Sequence, residues 1–345
     1  MRKILTVLMS LAVLAGIGLA DTANAQQRVF DRECRKAVVK MCGMDREKAK
    51  ACIRERHSEL PDKCQEQLKK AVKERLGERS GKTGGMAARG ASQGQTLKYG
   101  NDPRQGVDYY AASGGQPGPP LIVFVHGGGW QIGDRSRVQL KPGYFNDLGY
   151  AFASAGYRLV PDARVEDQLA DLASAIAMLR GKADDLGFDG EHIVLVGHSA
   201  GAHLAAMLGS DPAWLGQDFA GVDGVILLDG AGYDVARQMQ SARGALSGMY
   251  QDAFGSDPER QARLSPASHG TSPNIASWLI LHVAQRPDSA AQSSLLANAL
   301  RAGGATVQVE AVSGTDHGRL NRELGAADKP QTALVSAYLA GLFAS

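Results

Sequence analysis

From residue 96 to the end of the chain, short apolar runs alternate with longer segments in which apolar residues recur at helical spacing. Short apolar runs bounded by glycine, proline and polar residues are typical of buried strands. They predict strands at 96–99, 106–110, 121–125, 150–154, 192–196, 224–228, 277–283 and 305–310. Helices are predicted at 137–148, 164–181, 200–209, 289–302 and 329–343. This alternation predicts an α/β fold, a mostly parallel eight-stranded sheet with helices on both faces.

The first 25 residues follow a different pattern. Arg2 and Lys3 precede an apolar stretch from Ile4 to Leu19, and Ala23-Asn24-Ala25 offers the small residues that signal peptidase requires. These features predict a cleavable secretory signal. We therefore expect the protein to be periplasmic or secreted.

A separate helical module is predicted at residues 28–79, which hold all four cysteines. Helices are predicted at 31–42, 45–57 and 61–76. The cysteine spacing fits no zinc pattern, and an even number of cysteines in an exported chain favours two disulfides. If the helices fold back on one another, the starts of the first and third are neighbours. We therefore predict the pairs Cys34–Cys64 and Cys42–Cys52. The module resembles the short cysteine-rich helical repeat of Golgi-type glycoproteins.

Charge also divides the chain. Residues 28–82 carry 17 basic and 10 acidic side chains, whereas residues 83–345 carry 19 basic and 25 acidic ones. The basic surface is either an ordinary solvated helix face or a docking surface for an anionic lipid, an acidic polymer or the acidic domain. No aromatic residues are interleaved with the basic ones, which argues against nucleic acid. Residues 80–95, rich in glycine, predict a flexible linker.

Two motifs that follow predicted strands carry the candidate chemistry. Gly197-His198-Ser199-Ala200-Gly201 is a G-x-S-x-G sequence, in which a sharp strand-to-helix turn exposes a nucleophilic serine. His126-Gly127-Gly128-Gly129-Trp130 follows strand 121–125, and backbone N–H groups without neighbouring side chains suit an oxyanion hole. We predict Ser199 as the nucleophile. The predicted oxyanion donors are the N–H groups of Gly127 or Gly128 and of Ala200.

Together these motifs resemble those of the HGGG carboxylesterases among the α/β-hydrolases, and the resemblance extends over residues 96–345. It is strongest to small alkyl- and aryl-ester hydrolases in which HGGGW is followed by Gly-Asp, here Gly133-Asp134. The resemblance implies the α/β-hydrolase fold, a triad in the chain order serine, acid, histidine, and chemistry that needs no cofactor or metal.

The triad partners should follow the last two strands. His317 lies in the loop after strand 305–310 and is the predicted base. The loop after strand 277–283 offers Asp288, 29 residues before His317, as the predicted acid. This loop reads Arg-Pro-Asp-Ser where the family usually has Gly-x-x-Asp-Pro-Leu, and Asp316 is the fallback. The other histidines fit the base position less well: His57, His126, His192, His198, His203, His269 and His282.

Aromatic residues near the motifs are candidates for the substrate pocket. Trp130 could line the pocket or pack in the core, and Tyr233 lies in a turn after strand 224–228. Residues 236–256 are predicted to form a mobile cap. The leading interpretation is an exported serine hydrolase that cleaves small carboxylic esters. The alternatives are an arylformamidase-like amidase on the same fold and a binding or adhesion protein that acts through the basic cysteine module.

Overall fold

The computed structural model describes residues 32–42, 52, 59–67, 94–113, 117–271 and 273–344. The chain divides into two compact units, Met1–Ala87 and Ala88–Ser345, and the division falls inside the predicted linker. In the part of the chain that is described, no helix is both long and apolar enough to cross a membrane.

The N-terminal unit is held by disulfides. Helix α1 spans Arg32–Cys42, and residues 62–67 are also helical, whereas most of the predicted middle helix lies outside the described residues. The predicted pairing is confirmed, since Cys34 is bonded to Cys64 and Cys42 to Cys52. Cys34 and Cys64 are buried together with Val38 and Leu60. A module of this size buries little apolar surface, which is the situation in which disulfides carry much of the stability.

The second unit contains one eight-stranded sheet, as predicted, and every predicted strand is present within two residues of its expected bounds. The strands are β1 Gln95–Lys98, β2 Gly106–Tyr110, β3 Leu121–Val125, β4 Ala151–Ala155, β5 Ile193–His198, β6 Val222–Leu228, β7 Ser277–Val283 and β8 Thr306–Val312. Their order is β1-β2-β4-β3-β5-β6-β7-β8. β2 runs antiparallel to both of its neighbours, and the remaining pairs are parallel.

Helices cover both faces of the sheet, and they are α2 Lys141–Asp147, α3 Val165–Arg180, α4 Ala183–Leu186, α5 Ala200–Ser210, α6 Val235–Ser241, α7 Ala245–Phe254, α8 Pro258–Arg263, α9 Pro266–His269, α10 Pro287–Ala302, α11 His317–Arg322 and α12 Pro330–Leu342. Four of them begin at a proline, which has no N–H to leave unsatisfied at a helix start. The predicted cap contains α6 and α7, so it is largely helical.

The central strands are buried on both sides, because alternate residues face two different cores. In β3, Leu121 and Val123 belong to the core that includes residues of α3, α5 and α10. Ile122 and Phe124 belong to the core that includes residues of α2 and α12. Because β3 to β8 run parallel, they all end at one edge of the sheet. The loops after β3, β5, β6, β7 and β8 meet at this edge.

Reduction of the disulfides should affect the two units differently. Each bridge closes a loop and is expected to stabilise the N-terminal unit by about 2–4 kcal/mol. The second unit contains no cysteine. Dithiothreitol should therefore make the N-terminal unit sensitive to limited proteolysis while leaving the main thermal transition, followed by circular dichroism, unchanged. The same transition should persist after deletion of residues 26–90. A lower melting temperature of the second unit in either experiment would contradict the division.

Candidate active site

Ser199 lies in a strained turn between β5 and α5. Its backbone has φ 57° and ψ −121°, a conformation that L-residues rarely adopt and that is maintained only by tight surroundings. A Cβ at Gly197 would lie 2.3 Å from the carbonyl oxygen of Gly201, and one at Gly201 would lie 2.2 Å from that of Val125. The two glycines of the motif are therefore required sterically. This geometry is that of a nucleophile elbow.

His317 approaches the serine from the start of α11. Its Nε2 is 3.0 Å from Ser199 Oγ, and its own backbone oxygen accepts a hydrogen bond from His198 Nε2 at 2.9 Å. Asp316 caps α11 by accepting hydrogen bonds from the N–H groups of Gly318 and Arg319, so the fallback acid has a structural role. The sequence thus placed the serine and the histidine correctly relative to each other.

The carboxylate that contacts His317 is Asp229 instead of the predicted Asp288. Asp229 Oδ2 accepts a hydrogen bond from His317 Nδ1 at 2.7 Å. Asp288 lies in the first turn of α10, where its half-exposed carboxylate bonds to Arg286 Nη2 at 3.0 Å. Because α10 already begins at Pro287, Asp288 is carried on the helix and away from the imidazole. The assignment of Asp288 is therefore wrong on geometry.

A sequence signal for Asp229 was present. This residue directly follows the wholly apolar end of β6, so its carboxylate stands at the same sheet edge as Ser199. The resemblance instead favours the loop after β7, with Asp316 after β8 as the fallback, so Asp229 was not predicted as the acid. The absence of the usual Asp-Pro pair from that loop was the indication that the acid had to come from a neighbouring strand.

The environment of Asp229 favours its charged form. Burial by itself would raise the pKa of this carboxyl, which has no exposed surface. Hydrogen bonds from His317 and from the N–H of Val283, together with the nearby Arg286 guanidinium, outweigh burial and hold the pKa well below its usual range. The carboxylate is therefore ionised at neutral pH and fixes the Nδ1–H tautomer of His317, which leaves Nε2 free to accept the serine proton.

The predicted oxyanion loop lies against the serine. A Cβ at Gly127 would be 2.6 Å from the oxygen of His198 and 2.9 Å from Ser199 Cβ, so only glycine fits this approach. Gly128 has φ 137°, and a Cβ there would overlap the carbonyl of Ile132. Ala200 is the first residue of α5, whose initial N–H groups have no partner within the helix. The loop and the helix start thus flank Ser199 from two sides.

The oxyanion loop is supported from below by His126 and Tyr157. The Tyr157 hydroxyl donates to the backbone oxygen of His126 at 2.6 Å, and the two rings stack at 4.3 Å. His126 Nδ1 donates to the oxygen of Gly127 at 3.0 Å. Burial lowers the pKa of His126 to about 4, so this imidazole is neutral and serves as a fixed hydrogen-bond donor.

The two predicted pocket residues lie in the core. Trp130 and Tyr233 are 1% and 0% exposed, so neither has surface available for a ligand in this structure. The Trp130 indole donates to His203 Nδ1 at 3.3 Å and packs edge-on against Phe254 of α7. Their role is to support the loops around the serine. Met249 of α7 is instead placed close to the site, because a Cβ at Gly129 would be 2.3 Å from its sulfur.

Among the residues that the structure describes, no group of three His, Cys, Asp or Glu side chains is arranged to hold a metal ion. The arrangement at the sheet edge is a serine hydroxyl, an imidazole, an ionised carboxylate and two sources of N–H groups. It is suited to attack by the serine on a carbonyl carbon, followed by transfer of the acyl group.

Comparison with known proteins shows that the second unit has the α/β-hydrolase fold and that part of it is similar to esterases. Residues 107–219 match the BD-FAE family. Two solved structures of similar fold are esterase B from Lactobacillus rhamnosis, with TM-score 0.62 and 21% identity over 80% of this chain and 92% of that one, and Thermogutta terrifontis esterase 2 phosphonylated by sarin, with TM-score 0.63 and 23% identity over 75% and 98%.

Among curated proteins, isoprenylcysteine alpha-carbonyl methylesterase ICME of Arabidopsis thaliana is 32% identical over 112 residues, which are 32% of this chain and 26% of that protein. The chain thus spans about a quarter of the length of this relative. Kynurenine formamidase of Danio rerio is 28% identical over 239 residues, which are 66% of this chain and 77% of that protein.

Three buried histidines predict how stability depends on pH. Burial lowers the pKa of His198 to about 3 and those of His126 and His203 to about 4, below the value of about 6.5 in an unfolded chain. Between pH 6.5 and 4 the unfolded state therefore binds protons that the folded state does not. The free energy of unfolding should fall as pH falls through this window, by up to about 4 kcal/mol per pH unit.

Urea unfolding at pH 7, 6 and 5 measures this dependence. The variant His203→Gln retains hydrogen-bonding groups but cannot titrate, so the slope should decrease by about 1.4 kcal/mol per pH unit. An unchanged slope in this variant would show that His203 binds a proton in the folded protein.

Proposed function

We propose that this protein is a serine hydrolase that cleaves carboxylic esters through an acyl-enzyme. The observation that carries the proposal is the continuous chain of contacts from Ser199 Oγ to His317 Nε2 at 3.0 Å and from His317 Nδ1 to Asp229 Oδ2 at 2.7 Å. The similarity of residues 107–219 to the BD-FAE family and of the matched segments to esterases supports the same chemistry.

In this mechanism Ser199 attacks the ester carbonyl while His317 Nε2 accepts the hydroxyl proton. Asp229 stabilises the imidazolium that results and keeps it oriented. The carbonyl oxygen gains negative charge, which N–H groups of the Gly127–Gly128 loop and of Ala200 stabilise, each by about 3 kcal/mol. His317 then protonates the departing alcohol. Water, activated by the same histidine, releases the acid and restores the serine.

An amidase is the second candidate, because the kynurenine formamidase similarity extends over 66% of the chain. An amide needs protonation of its nitrogen as the bond breaks, and His317 is placed to supply that proton as well. Turnover of p-nitrophenyl acetate and of N-formylkynurenine should be compared at equal enzyme concentration. A kcat/KM that is higher for the formamide by tenfold or more would replace the esterase assignment.

We also propose that the protein acts outside the cytoplasm. The predicted secretory signal and the two disulfides support this location, since disulfides persist in oxidising compartments. N-terminal sequencing of the native protein should begin at Gln26. An intact Met1 in active, natively expressed protein would contradict export.

The triad assignment is tested by a matched pair of variants. Asp229→Asn should lower kcat by roughly 10³–10⁴-fold, because the imidazole loses its partner and its correct tautomer. Asp288→Asn, which changes a carboxylate that does not touch the imidazole, should stay within a few-fold of wild type at the pH optimum. Ser199→Ala and His317→Ala should lose activity by several orders of magnitude and abolish labelling by a fluorophosphonate. The reverse ranking of the two aspartates would restore the original assignment.

The oxyanion loop is tested by Gly127→Ala. The added methyl group meets the oxygen of His198 and the Cβ of Ser199, so the loop must move away from the serine. We expect kcat to fall by roughly 100-fold or more, the effect of losing one oxyanion donor. Gly143→Ala is the control, since a Cβ there meets no atom within 4 Å and alanine favours the helix. Normal kcat in folded Gly127→Ala would remove this loop from the mechanism.

A further inference from the structure

A guanidinium group lies within the proposed triad. Arg286 Nη1 donates to Asp229 Oδ2, the oxygen that also accepts the hydrogen bond from His317 Nδ1. The same Nη1 is 2.7 Å from His317 Nδ1. The second nitrogen, Nη2, bonds to Asp288, and the arginine side chain is 28% exposed. Arg286 thus connects the buried carboxylate, the imidazole and a surface carboxylate.

The position of Arg286 in the chain explains why it is there. It is the last residue before α10 and precedes Pro287, so it occupies the place of the aspartate in the Asp-Pro pair that the resemblance leads one to expect. The carboxylate beside the imidazole comes instead from the end of the adjacent strand β6, and a permanent cation follows the end of β7. His317 Nδ1 therefore has one carboxylate and one guanidinium as neighbours.

We propose that Arg286 is a positioning residue that lowers the basicity of His317 by sharing the charge of Asp229. The inference rests on the proposed function, because it assigns a task to a residue that acts through the triad. Arginine only donates hydrogen bonds, and Nδ1 must itself donate to Asp229, so the two groups compete for one carboxylate oxygen. When His317 takes up the serine proton, two cations face that single carboxylate. The cation at position 286 disfavours this protonated state.

Other charged or titratable groups around His317 are less able to act in this way. On neighbouring elements and on α11 itself these groups are His198, Lys141, Tyr250, Asp288, Asp316, Arg319 and Arg322. His198 is neutral because burial lowers its pKa to about 3, and burial raises the pKa of Tyr250, so its phenol is also neutral. Lys141 Nζ bonds to the backbone of Asn321 at the far end of α11, and Arg319 pairs with Glu323. Besides Asp229, the charged group in contact with His317 Nδ1 in the described part of the chain is Arg286.

The pH dependence of kcat/KM for p-nitrophenyl acetate tests the proposal. Arg286→Gln removes the cation, so His317 should hold a proton more readily and the acidic limb should move upward by roughly one pH unit or more. Arg286→Lys restores a positive charge and should leave the limb within about half a unit of wild type, as expected for retention of the charge. Arg319→Gln is the matched control, because it removes an arginine of α11 that pairs elsewhere, and its limb should not move.

A second variant reports the opposite sign. Asp288→Asn removes the surface carboxylate that partly neutralises Arg286, so the acidic limb should move toward lower pH. This variant changes an exposed side chain and tests the proposal even where Arg286→Gln fails to fold, as its thermal transition would show. An acidic limb that stays in place in folded Arg286→Gln, with kcat lowered equally at every pH, would overturn the proposal and leave Arg286 a structural role.

The proposal can also be separated from the ester hydrolase assignment. Nitrogen NMR of the His317 ring in the ligand-free protein follows its protonation without any substrate. If wild type hydrolyses no ester but the His317 titration shifts upward in Arg286→Gln, the proposed function fails and this inference stands. If esters are hydrolysed but neither the titration nor the kinetic limb moves, the inference fails and the function stands.

Discussion

The ionised carboxylate of Asp229 is the group on which the site depends. A charge without solvent exposure is costly unless donors surround it, and here the donors come from three separate elements: the N–H of Val283, the imidazole of His317 and the guanidinium of Arg286. Each of these elements is in turn fixed by the sheet. The positive φ of Asp229 and the bond from its N–H to the oxygen of Leu281 hold the carboxylate at the edge where β6 meets β7. The pairing of β6 with β7 therefore fixes the position of the Asp229 carboxylate.

A second set of groups, which are neutral, fixes the backbone of His317 and of the loop next to Ser199. His198 holds the backbone of His317, His126 holds Gly127, and Tyr157 holds His126. All three rings are buried, and burial itself keeps both histidines uncharged. Neutral donors suit the proposed mechanism, since a charged group beneath the Gly127–Gly128 loop would interact with the negative charge that the mechanism places on the substrate oxygen. The buried side chains beneath the site thus support it without carrying charge.

The sequence predicted the fold almost completely, because buried strands and amphipathic helices have distinct periodicities. The motif pointed to Ser199, the end of the last strand pointed to His317, and the order of the three predicted helices pointed to the two disulfide pairs. The prediction failed for Asp288 because the ends of β6 and β7, Leu228 and Val283, are adjacent in space but 55 residues apart in the chain, as in any sheet with long crossovers. The local indications were the missing Asp-Pro pair after β7 and a carboxylate directly after β6, and neither shows on its own which side chain reaches the imidazole. The cap helices were missed because α6 and α7 are short and carry weak apolar periodicity.

The adjacency of β6 and β7 has a consequence for how such sites diverge. One imidazole can be reached from the end of either strand. The position of the acidic partner is therefore fixed in three dimensions but not in the order of the sequence. A carboxylate at the end of β6 can therefore fill the place next to the imidazole with no change to the sheet, and the position after β7 can then hold a side chain of different chemistry. In this chain the position after β7 holds the cation Arg286, which contacts the carboxylate supplied from the end of β6.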